Sequence, residues 1–541
     1  MSGATRADAR LVRAAARLAG AGLATAAVAG APAIAAAHGL SPVYQSPLPL
    51  AVYLVGAAAT VALSFVFVLA RDMRAAPATD TRIVAVPVAV RVGLRVVGLA
   101  GWAWIMAQGI AGGTSDAAVA GLFLWVYGWV GVAMLSALVA PVWEWLDPFA
   151  TLHDVLAWGL RRLGVHGWAP SEVPDAFRLW PAVAGLGFFI WLELVAIAGN
   201  ATLSVVVAAY TVLTLALMAQ FGRDQWRAQG ETFTVWFRTL NRLASIGIVP
   251  AAASPSRDGA NGGGHDPDDV NPEAGDDAVD DAVDDAVDTD PDAIDVGVVI
   301  RRPFASGILE ARWSVPLIVL VAFGTGSIIF DALSQTVAFA SLFGAPGLAA
   351  KTLLLFAFLG LVAAAALAVA WSVSPGTIGA GLLPIAVGYL VAHYLTYLLI
   401  SGQRIVIAVS DPLQTGADLF GTAFFEPAAD WLPAGLVWTI QLASVVGGHM
   451  LGAWAGHVTA QRDMEAFAGA KPARDMRHRK IPGSAAAAVR NVRVREIPLA
   501  LVMVALTTLT LWSLGQAIVV EEEAGRGPGA AGGAPGLSAP G

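Results

Sequence analysis

The stretches IGAGLLPIAVGYLVAHYLTYLLI (378–400) and AGLVWTIQLASVVGGHMLGAWAGH (434–457) decide the fold. Each runs for more than twenty residues without an Asp, Glu, Lys or Arg. At about 1.5 Å per helical residue, either one crosses the ~30 Å hydrocarbon core of a bilayer. Yet they carry His393, His449 and His457. Ionisable groups at membrane depth cost some kcal/mol each, so they face a partner, a cavity or a bound ion.

Working outward, apolar runs of similar length recur at 48–70, 92–111, 117–140, 179–199, 201–220, 313–331, 352–371 and 497–516, giving ten candidate spans. A mean hydropathy of +0.67, with 57% hydrophobic and 13% charged residues, agrees. The expected fold is all-α, a polytopic bundle in two five-helix halves, 38–221 and 311–516. Before it, Arg6, Arg10, Arg13 and Arg17 precede a mildly apolar run that ends near Ala35 and Ala37. This reads as a signal peptide over 1–37, or as an uncleaved first anchor. Residues 517–541 form an extracytoplasmic tail on this scheme.

Arginine placement orients the bundle. Arg71, Arg74, Arg82 and Arg91 follow the first span, Arg161, Arg162 and Arg178 the third, and Arg223 to Arg242 with Arg301 and Arg302 flank the long connection after the fifth. Cytoplasmic loops carry such an excess, so the mature N-terminus is expected outside a cell membrane. Two cytoplasmic segments are expected as interfacial helices or as ordinary helices packed on the bundle, one after the third span and one in the connection 222–310. The first is capped by Asp147, with Pro148 at its first helical position, and runs to Arg161 and Arg162. The second places Phe233, Trp236, Phe237, Leu240 and Leu243 opposite Arg238 and Arg242. Within 251–296, Asp-rich and poor in apolar groups, a disordered acidic tether is expected. It concentrates much of the net charge of −8, and with only three lysines in the chain the balance suits a high-salt setting.

The chain has no cysteine, which removes disulfides, thiolate metal sites and cysteine nucleophiles. No Walker A sequence or dinucleotide fingerprint is present, and the basic residues are accounted for by topology, so ATP hydrolysis and nucleic-acid binding are not expected. What remains is a set of polar residues inside spans: Glu193, Asp331, His393, Gln441, His449 and His457, with Tyr389, His393 and Tyr397 on one helical stripe beside Tyr394. On the proposed topology Glu193, Asp331 and His393 share the outer half of the membrane, and His449 and His457 lie progressively deeper. A His/carboxylate set suits zinc or another first-row divalent ion, which would make a hydroxide nucleophile. Helix-to-helix hydrogen bonding is the bland counterpart for each residue. If cleavage follows Ala37, His38 adds an amino-terminal nitrogen pair suited to copper.

Ala37-His38-Gly39, Phe330-Asp331, PIAVGYLVAHYLTYLLISGQ (384–403), SDPLQTGADLFGTA (410–423) and WTIQLASVVGGHMLGAWAGH (438–457) resemble a family of bacterial and archaeal polytopic membrane proteins, some labelled fenitrothion hydrolase. The resemblance implies that Asp331, His393, His449 and His457 are recurring polar positions, that Asp411-Pro412 lies on the outer side, and that organophosphate cleavage is a candidate reaction class. Gly456-His457 stands here where the pattern has Ala-His. The leading expectation is therefore a membrane-embedded, metal-dependent hydrolase of phosphoester-like or lipophilic esters. In it Glu193 is the general base acting with Asp331, and His393, His449 and His457 are the metal ligands, zinc being favoured. A proton- or metal-ion-coupled permease is the second expectation, and a structural or assembly protein of the bilayer the third.

Overall fold

A computed structural model describes residues 82–113, 117–165, 170–249, 298–469 and 497–514. The signal peptide, His38, the 48–70 span, the Asp-rich tether and the C-terminal tail lie outside the described residues. The chain is mostly helical, and eight helices among the described residues are long and apolar enough to cross a membrane. They cover eight of the ten apolar runs, from 92–111 to 434–457.

Strand β1 (Arg82–Ile83) leads into α1 (Val88–Ala111), and α2 (Val119–Leu138) returns through a wide π-type stretch, Leu122–Val132. The short α3 (Trp143–Leu146) and α4 (Pro148–Arg162) follow. Next come α5 (Trp180–Trp191), which widens over Leu192–Ala196, and α6 (Asn200–Phe221). Helices α7 (Arg223–Gln229) and α8 (Thr232–Asn241), strands β2 (Ile246–Val249) and β3 (Val298–Arg301), and α9 (Ser306–Glu310) then lead to α10 (Val315–Ser334). Beyond it stand α11 (Val337–Phe343), α12 (Leu348–Ser372), α13 (Pro375–Ser401), α14 (Ile405–Ser410), α15 (Ala434–Gly469) and α16 (Ile497–Leu514).

The all-α expectation needs one amendment. A small antiparallel sheet, in the order β1–β3–β2, closes one end of the bundle. Val249 and Val298 are register partners, so the two ends of the 250–297 connection leave the sheet side by side. We call this the sheet end, and the opposite one, where the 410–423 loop lies, the loop end.

The second expected amphipathic helix, α8, does not lie on a membrane surface. Trp236, Phe237, Leu240 and Leu243 are buried in the main core, Trp236 stacks on Trp129 at 5.8 Å, and Arg238 pairs with Glu144. Its apolar face is used up inside the protein, which is where burial in a close-packed interior is worth most. Helix α4 fits the interfacial expectation better. Asp147 caps it by accepting from Phe149 N and Ala150 N, while Val155, Leu156, Trp158 and Leu160 are exposed near Arg161 and Arg162.

Two spans pack more closely than the rest, α13 against α15. A Cβ placed on Gly388 would strike the Ser444 carbonyl, one on Gly448 would come to 2.7 Å from the Pro384 carbonyl oxygen, and one on Gly452 would strike the Gly381 carbonyl. Small residues let membrane helices approach backbone to backbone, where packing rather than water exclusion drives association. That closeness sets the position of the polar side chains described next.

Candidate functional site

Helix α10 places Asp331 near its last turn, facing inward and 5% exposed. Helix α13 brings two successive residues to it: His393 Nε2 stands 3.0 Å from Asp331 Oδ2, and the Tyr394 hydroxyl donates to the same oxygen at 2.9 Å. Gln335, one turn on from Asp331, donates to Oδ1 at 2.8 Å. All four groups come from the loop-end part of their helices. With Asp331 ionised, His393 Nε2 must carry a proton to bond it, which leaves Nδ1 as the acceptor of the neutral ring. His393 is 9% exposed, and its Nδ1 has no hydrogen-bond partner among the described residues. Asp331 thus fixes the ring from one side and leaves the second nitrogen buried on the other.

Glu193 enters the same neighbourhood. Its carboxyl lies close enough to Asp331 for their charges to interact, and Tyr394 and Tyr397 feel both carboxyls. The local backbone explains how a Glu reaches there. It sits in the widened turn Leu192–Ala196, which ends at Ile197 with φ 46°. A β-branched residue in the left-handed region costs on the order of 1–3 kcal/mol, and such strain, like π-type turns, concentrates at working sites.

The histidines expected as joint metal ligands have separate partners. His449, fully buried, faces the Val445 carbonyl through Nδ1 at 2.8 Å and the Tyr389 hydroxyl through Nε2 at 3.3 Å, with the Met503 carbonyl as a further backbone partner. His457 Nε2 faces Gln461 at 3.1 Å. Their eight-residue separation on one helix amounts to about 12 Å of rise, too far for two donors that must each approach one ion to about 2 Å. Among the described residues no group of three His, Asp or Glu is arranged to hold a metal ion. A zinc site needs three or four donors on one point, and the Asp331–His393 pair supplies two.

Polar groups instead follow the α13–α15 seam through its depth. Gln441 donates to the Ala392 carbonyl at 2.9 Å near the loop end, the Tyr389–His449 pair lies midway, and His457 with Gln461 lies towards the sheet end. From Gln441 to His457 the rise is about 24 Å, most of a hydrocarbon core.

Sequence reasoning passed over a second cluster, at the sheet end. Arg227 bonds Glu144 at 2.9 Å and Asp147 at 3.0 Å, and Arg238 bonds Glu144 as well. Glu231 caps α8 through Phe233 N and Thr234 N and accepts from the Tyr210 hydroxyl. Glu144, Asp147, Arg227 and Glu231 are all buried. Burial alone pushes Glu144 up, but Arg227 and Arg238 overcome it and hold the carboxyl at about 2. Glu231 is pushed up, by burial first and then by the Asp147 charge. The available signal was Trp143-Glu144-Trp145, a carboxylate between two indoles just past a span, whereas Arg227 and Arg238 were absorbed into the topology argument.

The chain matches no family model, no curated protein and no solved structure.

Proposed function

We propose that the protein is a secondary permease of the cell membrane in which the Asp331–His393 pair binds and releases a proton during transport. The observation that carries this is the unpartnered Nδ1 of His393, buried at membrane depth with Nε2 fixed on Asp331. Glu193 beside the pair gives the site a second carboxyl to share the proton, and Tyr394 keeps the Asp331 oxygen oriented. Widened turns in two spans and polar residues spread through the α13–α15 seam suit a protein that opens a path through the bilayer. On the arginine distribution the sheet end faces the cytoplasm.

The test is a pH jump applied to proteoliposomes adsorbed on a solid-supported membrane. Wild type is expected to give a transient charge displacement, and Asp331→Asn and His393→Ala to reduce it at least about tenfold, since a proton site without its acceptor carries nothing. Equal displacement in wild type and Asp331→Asn would sink the proposal.

The same dyad also supports a second reading, hydrolysis, in which His393 Nδ1 takes a proton from water while Asp331 orients the ring. Turnover of a chromogenic phosphotriester by the purified protein, lost in His393→Ala, would favour this reading over transport.

A further inference from the structure

Near the sheet, the half-buried cation Arg242 has no counter-charge among the described residues. The segment 302–307 is laid along the end of α8. Arg302 donates from its backbone N to Ser245 O at 2.8 Å, and from its guanidinium to Asn241 O at 2.8 Å and Ala244 O at 3.2 Å. Ala305 N donates to Leu243 O at 2.7 Å. Gly247 and Gly307 lack the Cβ that would fill the space of the Arg302 guanidinium. Arg302 is thereby fully engaged as a cap on α8's last carbonyls.

Arg242, one residue beyond α8, is not engaged in this way. Its guanidinium lies over the Trp313 ring, 4.9 Å from the centroid, and Nη1 is buried with no hydrogen-bond partner among the described residues. No ion pair reaches it among the described residues. Burial first and the Arg302 charge second pull it down to about 10, so it stays protonated at neutral pH. A second donor without a partner among the described residues is the solvent-excluded Ser306 hydroxyl, on the residue after Ala305, whose N–H bonds the carbonyl of Leu243, the residue after Arg242. Trp313 closes the space, its indole N–H on the Ile308 carbonyl. A solvent-excluded guanidinium nitrogen over an indole ring and a solvent-excluded hydroxyl on the neighbouring segment have no acceptor among the described residues, and such donors are costly unless something completes them.

We propose that Arg242, Ser306 and Trp313 form a binding site for a phosphate-type oxyanion, delivered as the headgroup of an anionic lipid or as the free ion. Arg presents a planar fork that pairs two phosphate oxygens, and the serine hydroxyl bonds a third. The lipid source is favoured by place, since Trp313 stands two residues before the span α10, at the depth where tryptophans line membrane interfaces.

The experiment uses the full chain, delipidated in detergent and titrated with phosphatidylglycerol, phosphatidylcholine or inorganic phosphate, read by native mass spectrometry and by Tm. Wild type is expected to hold one phosphatidylglycerol at least tenfold more tightly than phosphatidylcholine. Arg242→Gln is expected to lose that preference, Ser306→Ala to weaken it several-fold, and Arg242→Lys to keep part of it. In lipid-free detergent Arg242→Gln is expected to match or exceed the wild-type Tm, because it removes a half-buried charge with an unpartnered donor, and to fall below it once phosphatidylglycerol is added. A Tm rise with inorganic phosphate in wild type but not in Arg242→Gln, without lipid preference, would support the site and identify the free ion as its ligand. Equal lipid retention by wild type and Arg242→Gln with no phosphate response, or a lower Tm of Arg242→Gln in lipid-free detergent, would overturn the proposal.

Discussion

Replacing Arg227 with methionine is expected to lower the Tm of the purified protein by roughly 10 °C, the size of a loss of about 3–5 kcal/mol when a buried ion pair is broken from one side. The substitution strips Asp147 of its guanidinium and leaves Glu144 with Arg238 alone, while both carboxylates stay buried. The position of Glu144 gives an independent figure. A carboxyl drawn from its ordinary 4.5 to about 2 in the folded protein contributes about 3 kcal/mol at neutral pH. Its folded value lies below the unfolded one, so this contribution is complete above about pH 4.5 and is lost as the pH falls through about 2. Wild type should therefore keep the contact at pH 5. The deficit of Arg227→Met should shrink on acidification from pH 7 to 5, because carboxyls without the arginine protonate more readily. Thermal melts across pH 4–8 check both statements, and a variant that melts with wild type at pH 7 would show that the cluster holds nothing together.

Gly452→Leu is expected to disrupt the α13–α15 seam and with it the polar arrangement. Even the Cβ has no room against the Gly381 carbonyl, a backbone atom that cannot rotate away, so the two helices must separate. Overpacking of this kind costs about 1–3 kcal/mol, and more where the obstacle is backbone. Separation would lengthen the Tyr389–His449 contact, already 3.3 Å. Gly447, five residues earlier on the same helix and exposed, meets nothing within 4 Å of an added Cβ. Gly447→Ala should accordingly leave Tm and charge displacement unchanged, while Gly452→Leu lowers both. Matching behaviour of the two variants would contradict the close approach.

The spans were legible because crossing a bilayer demands one property, sustained apolarity over about twenty residues, which a linear reading sees directly. Asp331, His393 and Glu193 were legible for the complementary reason that charge at such depth is rare. The cap at Asp147 was legible too, since it depends on neighbours in sequence. Helix α8 was less so. Its pattern of Phe, Trp and Leu against Arg fits a membrane surface and a protein groove equally well, and only the presence of Trp129 and Gly324 against Trp236 resolves it. The sheet escaped notice because its strands are two to four residues long and pair across the whole 84–297 interval.

By itself, then, the sequence determined that this is a mostly helical chain with runs long and apolar enough to cross a membrane, where those runs lie, and which polar residues they carry. Only the tertiary structure decided which of those residues meet. It brought Asp331 to His393 across 62 positions, gave His449 and His457 to different partners, and put Glu144 beside Arg227 across 83. Hydropathy acts residue by residue and survives in a one-dimensional pattern. A contact between two spans depends on their mutual rotation and separation, which the glycines of the α13–α15 seam and the packing of α8 fix only once every helix is in place.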